Sequence, residues 1–385
     1  MTAHSVFDAV VVGGGLLGAA TAYHLVCAGA RTLLVDRADI GRATDAGAGI
    51  LSPETNSRDP EAWFRFAVEA VGYYPALMDR LAGEQAGDTG YTRCGQLVVA
   101  VSDDEIEPFE RARRLVFERQ RSRGRPASAD LHEVTAAEAQ ELFPPLARVH
   151  GAIYSRGGAR VDGRLLNRAL HAAAEARGLV VRRGGAERLA IEGGAGRGVV
   201  VDGETIAAGA VAIAGGAWSE AFAAQLGVTI PVAPQRGQII HLGLPGADTG
   251  RWPVVSAFHH HYLVAWPDSR VVAGATRETG SGFAPHTTAA GVREVLSEAL
   301  RVAPGLAPAE VREIRVGLRP LTSDTLPVLG PVPGVAGVFL VTGHGPSGLT
   351  LGPYSAKLVA GQMLGKTPET DLSAFSVARF GSLPR

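Results

Sequence analysis

The stretch Phe7–Arg37, FDAVVVGGGLLGAATAYHLVCAGARTLLVDR, constrains everything that follows it. Phe7 to Val12 is apolar except for Asp8, the pattern of a strand buried on both faces. Gly13, Gly15 and Gly18 then give GxGxxG, and a small-residue, apolar segment of helical character starts at Leu16 and Leu17 and runs to Gly29. A second buried strand, Thr32–Val35, ends on Asp36. The first glycine permits a tight turn, the second lets the backbone approach a pyrophosphate, and the third lets the helix pack closely on the strand. The helix N-terminus supplies N–H groups and partial positive charge for phosphates. Asp36, about 20 residues past the loop, is placed to accept hydrogen bonds from an adenosine ribose. Alone, GxGxxG is weak in a chain with 50 glycines, and a glycine-rich turn without a ligand is the alternative. Strand, glycines, helix, second strand and terminal acid in this order make a nucleotide site the expectation.

At 385 residues the chain is long enough for two domains and a sizeable core. The net charge of −1, with no long run of like charge, argues against a nucleic-acid partner or an anionic membrane surface. The basic stretch Arg111–Arg125 reads as a solvated helix face. Two cysteines are too few for a disulfide framework, and Cys27 reads as a small core residue. The first strand begins almost at once, which leaves no room for a signal peptide, and no apolar run is long enough to span a bilayer. A cytoplasmic protein is expected.

After Asp36 and Arg37 comes ADIGRATDAGAGILSP, too rich in glycine for a helix and suited to a loop lying against a cofactor. Helices are expected over Pro60–Gln85 and Glu105–Arg123, a strand within Tyr91–Val101, and a capping box at Thr135–Glu138. Ala152–Ser155 and Leu179–Arg182 read as strands around a helix over Val161–Gly178. Gly209–Leu226 repeats the opening logic in reduced form: buried strand, glycine pair, helix. From Pro231 to Arg315 alternating strands appear with one helix near Thr288–Val302, the pattern of an antiparallel sheet covered on one side. The chain closes with a strand at Val338–Val341, the loop GHGPSGL and a helix over Pro353–Leu364. The fold class expected is α/β (α+β overall).

Four stretches, VVVGGGLLGAATAYHL, GRATDAGAGILSP, VAIAGGAWS and VGLRPLTSDTLPVLGP…TGHGPSGLTLGP, together resemble the flavin-dependent D-amino acid oxidase superfamily, nearest its glycine oxidases and bacterial D-amino acid dehydrogenases. The resemblance runs nearly the whole length. It implies FAD in a Rossmann-type domain over 1–80, 150–230 and 317–385, into which a substrate domain over 81–149 and 231–316 is inserted discontinuously. Gly13, Gly15, Gly18 and Asp36 would hold the ADP half, and Leu16, Leu17 and Arg37 would also bind the cofactor. Arg42, Ala43, Thr44, Ala46, Gly47, Ala48 and Gly49, with Gly343, Gly345, Pro346, Ser347, Gly348 and Leu349, would line the flavin ring, and Gly215 and Trp218 would complete the cofactor site. Arg319, in GLRP, matches the family arginine that pairs with the substrate carboxylate, and Tyr262 matches the glycine oxidase tyrosine of the same pocket. Pro346 stands where glycine oxidases carry a second arginine, which weakens the case for glycine itself. The region LTSDT lacks the cysteine to which sarcosine oxidases tether flavin, so the FAD is expected to be non-covalent.

The chemistry implied is oxidation of the C–N bond of glycine or a small D-amino acid to an imine, then a 2-oxo acid and ammonia. Electrons pass to oxygen or another acceptor. A secondary amine such as sarcosine or a cyclic imino acid is the alternative substrate, and a non-catalytic FAD-binding subunit the alternative class; a homo-oligomer and a hetero-subunit complex both stay open. Hydride transfer to flavin needs no strong protein acid or base once the amine is neutral, which agrees with the lack of an evident Ser/His/Asp or Cys/His constellation. A planar guanidinium fixes a carboxylate by two parallel hydrogen bonds, though Arg319 has a structural alternative in an ion pair with Asp324. Tyr262 reads equally as an aromatic plug, and His344 as a satisfied loop histidine or one tuning the ring. His259–His261 invites a metal reading, but on a strand only His259 and His261 would share a face, without a nearby acidic or cysteine partner in sequence, and no metal is expected.

Overall fold

Buried β-branched runs build the first sheet. In the computed structural model, which describes residues 7–57 and 60–381, strand β1 (Phe7–Val12) pairs in parallel with β2 (Thr32–Asp36) on one side and with Glu204–Ile213 on the other. Val180–Arg183 extends the parallel set beyond β2, and Val338–Thr342 extends it beyond Glu204–Ile213. The two faces of β1 go to different cores. Ala9 and Val11 pack with helices α1 (Leu16–Cys27) and α2 (Glu61–Gly83), while Val10 and Val12 pack toward Val199, Ile206 and Phe222. Burial on both faces is why this strand reads as an apolar run rather than an alternation.

The second sheet is mostly antiparallel and draws on both expected inserts. Its order runs Glu278–Thr279, Val232–Gly243, Arg270–Gly274, Tyr262–Trp266, Val254–Ser256, Gln96–Ala100, Gly151–Ser155, Leu131–Val134, with one parallel pair between Val254–Ser256 and Gln96–Ala100. The helix Ala289–Val302 covers one face through Val295 and Ala299. Phe109 and Val116 of the helix Ile106–Arg123 cover Val98, Ala100 and Ile153. The long strand Glu310–Thr322 pairs with Val232–Gly243 along its whole length. Gly151–Ser155 and the residues up to Thr322 thus extend this sheet past the 150 and 316 limits read from sequence.

Strand Glu310–Thr322 positions the site. Isolated bridges join Leu318 to Arg42 and Leu321 to His344, so one strand of the second sheet touches both loops expected at the flavin ring. Gly317 allows this approach, because a Cβ there would lie 2.9 Å from the Ala46 Cβ.

Four local expectations need correction. Ala43–Ala46 folds as a short 3₁₀ turn inside the glycine-rich loop. The segment after the glycine pair is 3₁₀ over Gly216–Phe222, and only Ala223–Leu226 is α-helical. The histidines 259–261 sit in a turn rather than on a strand, with His260 at φ 64°. The basic helix is not solvated all round. Arg119 is buried, donates to the Asn56 carbonyl at 2.7 Å and pairs with Glu61 at 3.1 Å, while Arg123 pairs with Glu54 at 2.6 Å. Both guanidiniums lie over the Phe64 ring, so two charges in this run clamp the helix onto α2. The Thr135–Glu138 capping box forms as expected. Among the described residues no helix is long and apolar enough to cross a membrane.

Candidate active site

The glycine motif makes its turn by close backbone contact. A Cβ on Gly13 would lie 2.5 Å from the Ala214 carbonyl oxygen, and one on Gly18 would lie 1.7 Å from the Gly13 carbonyl oxygen. Gly18 therefore packs against the loop and is not in contact with the cavity, whereas Gly13, Gly15, Leu16 and Leu17 line it. Gly15 caps α1 without a side chain, and Thr44 Oγ1 accepts from the Leu16 N–H at 3.1 Å. Asp36 lines the cavity at its nucleotide end and is ion-paired with Arg42. Arg42, expected at the flavin ring, is thus drawn to the ribose acid. Arg37 reaches Asp39 at 2.7 Å and lies 6.0 Å from the Trp218 ring.

One continuous cavity runs from these residues to the second sheet. Ala43, Thr44, Ala46, Gly47, Ala48, Gly49, Gly215, Trp218, Gly345, Pro346, Gly348 and Leu349 line it as expected. Gly343 and Ser347 do not. A Cβ on Gly343 would meet Thr322, and Ser347 Oγ accepts from Trp63 Nε1 at 3.1 Å. A glycine-walled channel with bare helix N–H groups and a carboxylate at one end fits a dinucleotide that brings a pyrophosphate and a ribose. A missing Cβ at Gly14, which would lie 2.8 Å from the Asp36 carboxylate, keeps that acid open to the channel. The residues present therefore fit FAD.

At the far end stand Arg319 and Tyr262. Arg319 Nη1 donates to the Thr276 carbonyl at 2.8 Å and to Gln235 Oε1 at 3.4 Å, and the guanidinium has no acidic partner among the described residues. Its structural alternative is overturned, because Asp324 pairs instead with Arg379 at 2.7 Å. Gly237, directly across the sheet from Gly317, makes the room: a Cβ there would lie 2.4 Å from the Arg319 Cζ. Burial pushes the Tyr262 phenol up, and the positive charges of Arg319 and then Arg277 pull against it. Tyr262 lines the cavity beside these two cations, and its ring also packs against the core cluster of Ala48, Val254 and Trp266.

His344 is buried on the cavity wall. Burial holds its pKa down to about 3, so the ring is neutral. Its Nε2 meets Ser355 Oγ at 3.0 Å, and that hydroxyl donates to the Leu351 carbonyl at 3.0 Å. The Ser355 proton is committed, so His344 Nε2 carries the hydrogen and Nδ1 is the acceptor. His259 faces Asp104 at 2.8 Å and Glu298 at 3.3 Å, an ion-paired turn far from the glycine loop in the chain. Among the described residues no group of three or more His, Cys, Asp or Glu side chains is arranged to hold a metal ion.

Sequence reasoning missed Arg277, Gly237 and Gly317, all of which line the cavity. The glycines had a legible signal, since glycine within a strand marks a close approach. Arg277 had none, sitting in a short polar link between two strands.

Known proteins give the same picture. The chain is 41% identical over 370 residues to the uncharacterized oxidoreductase YurR of Bacillus subtilis, covering 96% of this chain and 98% of that protein. It is 33% identical to a glycine oxidase of Pseudomonas aeruginosa, over 96% of this chain and 98% of the relative. The crystal structure of an iminodiacetate oxidase from Chelativorans sp. BNC1 superposes with a TM-score of 0.90 at 40% identity, over 96% of this chain and 98% of that one. The family described as FAD dependent oxidoreductase matches residues 8–362, and the chain belongs to that family of amine-oxidising flavoenzymes.

Proposed function

We propose that this enzyme oxidises the C–N bond of glycine or a small D-amino acid to an imine, with non-covalently held FAD as the acceptor of the hydride. The observation that carries the reading is Arg319, a guanidinium at the end of the cofactor channel with no acidic hydrogen-bond or ion-pair partner among the described residues. A carboxylate leaving water must be met by a fixed donor, and a guanidinium meets it in a defined plane. The Thr276 carbonyl holds Nη1 in place, so the plane is set before substrate arrives. Tyr262 stays protonated at neutral pH and offers its O–H beside the same guanidinium. FAD, when bound, supplies the two-electron acceptor; the protein orients the Cα–H toward it and keeps bulk water out. His344, neutral and tied to Ser355, serves as wall rather than as a proton carrier. The imine is then opened by water to the 2-oxo acid and ammonia.

A secondary amine is the second reading. The relative at 40% identity is named for iminodiacetate, in which the nitrogen carries two carbon arms. Anaerobic addition of glycine, D-alanine, N-methylglycine and iminodiacetate to the purified enzyme tests both readings. Bleaching of the flavin by at least one of them is expected, and re-admission of air then separates an oxidase from a dehydrogenase. A flavin left oxidised by every amino acid and amine would overturn the proposal.

A further inference from the structure

Arg277 is the charged group at the substrate end of the cavity that the reading above leaves without a task. It follows the strand Arg270–Gly274, is exposed, and lines the same cavity as Arg319 and Tyr262. Among the described residues its side chain makes no hydrogen bond and no ion pair. Its neighbour Glu278 makes no ion pair with it, because that carboxylate is paired with Arg236 and both its oxygens are hydrogen-bonded elsewhere. Oε1 accepts from Gln238 Nε2 at 2.6 Å and Thr276 Oγ1 at 2.8 Å, while Oε2 accepts from Arg236 at 2.6 and 3.0 Å. The other acids on the cavity wall, Asp36, Asp39 and Glu187, belong to its nucleotide end, where Asp36 and Asp39 pair with Arg42 and Arg37. Two arginines thus line one cavity, the charge of Arg277 acts on Arg319, and the nearby acid, Glu278, is already paired with Arg236. Like charges repel, and the arrangement is relieved by a ligand that brings two negative charges.

We propose that Arg277 receives a second carboxylate, so that the preferred substrate is a secondary amine carrying a carboxylate on each arm, of the N-(carboxymethyl)glycine type. This rests on the secondary-amine reading above and on the assignment of Arg319 to the first carboxylate. Arg319 holds the arm that is oxidised, and Arg277 holds the other across the C–N–C link. The Cα–H of the first arm leaves as hydride to oxidised flavin while the nitrogen loses its proton to water and a C=N bond forms. Water adds to that carbon, the C–N bond breaks, and glyoxylate and glycine leave.

The test compares holoenzyme and the R277Q variant on iminodiacetate and N-methylglycine, which share the oxidised arm and differ in the second carboxylate. The wild type should prefer iminodiacetate, and R277Q should lose about 10- to 300-fold in kcat/KM on it while changing less than about twofold on N-methylglycine. R277K, which keeps the charge and loses the planar fork, should fall between. Binding is read separately by flavin absorbance changes on titration with diglycolate, a non-oxidisable diacid, against methoxyacetate. R277Q should raise the Kd of diglycolate alone. Equal wild-type rates on the two amines, or an equal loss on both in R277Q, would overturn the proposal. If no amine bleaches the flavin, the reading of the reaction fails by itself; an Arg277-dependent diglycolate affinity then still upholds the second carboxylate site, and an Arg277-independent one overturns it.

Discussion

Replacing Arg319 by leucine separates a substrate anchor from a structural arginine. Leucine keeps much of the stem volume and removes the fork. Within the protein the loss is modest: the Thr276 carbonyl loses a donor at 2.8 Å, worth about 1 kcal/mol of stability. Gln235 Oε1 loses a long contact at 3.4 Å, yet Gln235 also bonds Thr279 at 3.0 Å and stays in place. No ion pair is broken, because Arg319 has none among the described residues. For the substrate the loss is larger. A carboxylate left buried without its cation costs roughly 2–5 kcal/mol, about 30- to 5,000-fold in specificity constant when the transition state feels it fully. The assay is the anaerobic rate of flavin reduction by N-methylglycine against dimethylamine, which has the same reacting nitrogen and no carboxylate. The variant should lose the acid's advantage, keep whatever slow rate the amine shows, and retain its FAD and nearly its melting temperature. Equal loss on both substrates, or loss of the flavin, would refute the assignment.

Further perturbations probe the remaining parts. Asp36→Ala should weaken FAD binding by roughly 1.5–3 kcal/mol in titrations of the apoprotein, with the fold retained, and an unchanged Kd would show that this acid does not touch the nucleotide. Acid precipitation should release the flavin into the supernatant, since covalent attachment would leave the pellet yellow. Gly237→Ala places a Cβ 2.4 Å from the Arg319 Cζ; the guanidinium is the far end of a flexible chain and moves, so kcat/KM for acids should fall by about 100-fold while FAD content holds. His344, held down to about 3, takes no proton in the folded state as pH falls from 6.5, whereas the unfolded chain does. Stability is therefore full above 6.5 and lost progressively between 6.5 and 3, by about 1.4 kcal/mol per pH unit from this residue. His344→Gln should make the fall in stability between pH 7.5 and 5 shallower by about 2 kcal/mol in urea melts, and an unchanged slope would show that His344 titrates normally.

Elements whose chemistry is local were legible in the chain. Burial on both faces writes β1 and β2 as apolar runs, and Gly18 is demanded by the Gly13 carbonyl five residues before it, although Gly13 itself yields to the distant Ala214 carbonyl. The Thr135 capping box likewise closes on itself. What failed depends on partners distant in sequence. Arg119 reads as solvated until Glu61 and the Phe64 ring are seen beneath it. The pairing of Asp324 with Arg319 was attractive because only four residues separate them, and Arg379, 55 positions away, took the acid instead. Arg42 and Ser347 were placed by the loops they belong to, yet Asp36 and Trp63 decide where their side chains go.

The division of labour between the sheets explains why the catalytic end was the harder part to read. The cofactor end is built around one strand–turn–helix–strand unit, so its leading residues are near in sequence and their spacing is informative. The substrate end is assembled where Glu310–Thr322 crosses from the second sheet onto the Ala43–Ala46 turn and the His344 loop. Tyr262 and Arg319 come from different strands, brought to one cavity by antiparallel register rather than by spacing. Register is set by many pairs at once, so Gly237 opposite Gly317 and Gly274 opposite Tyr262 each clear space for a functional side chain without leaving a compact motif. Such a design lets the substrate end change one side chain at a time. Arg277, exposed and unengaged by the fold, can be replaced without disturbing the strand that carries Arg319.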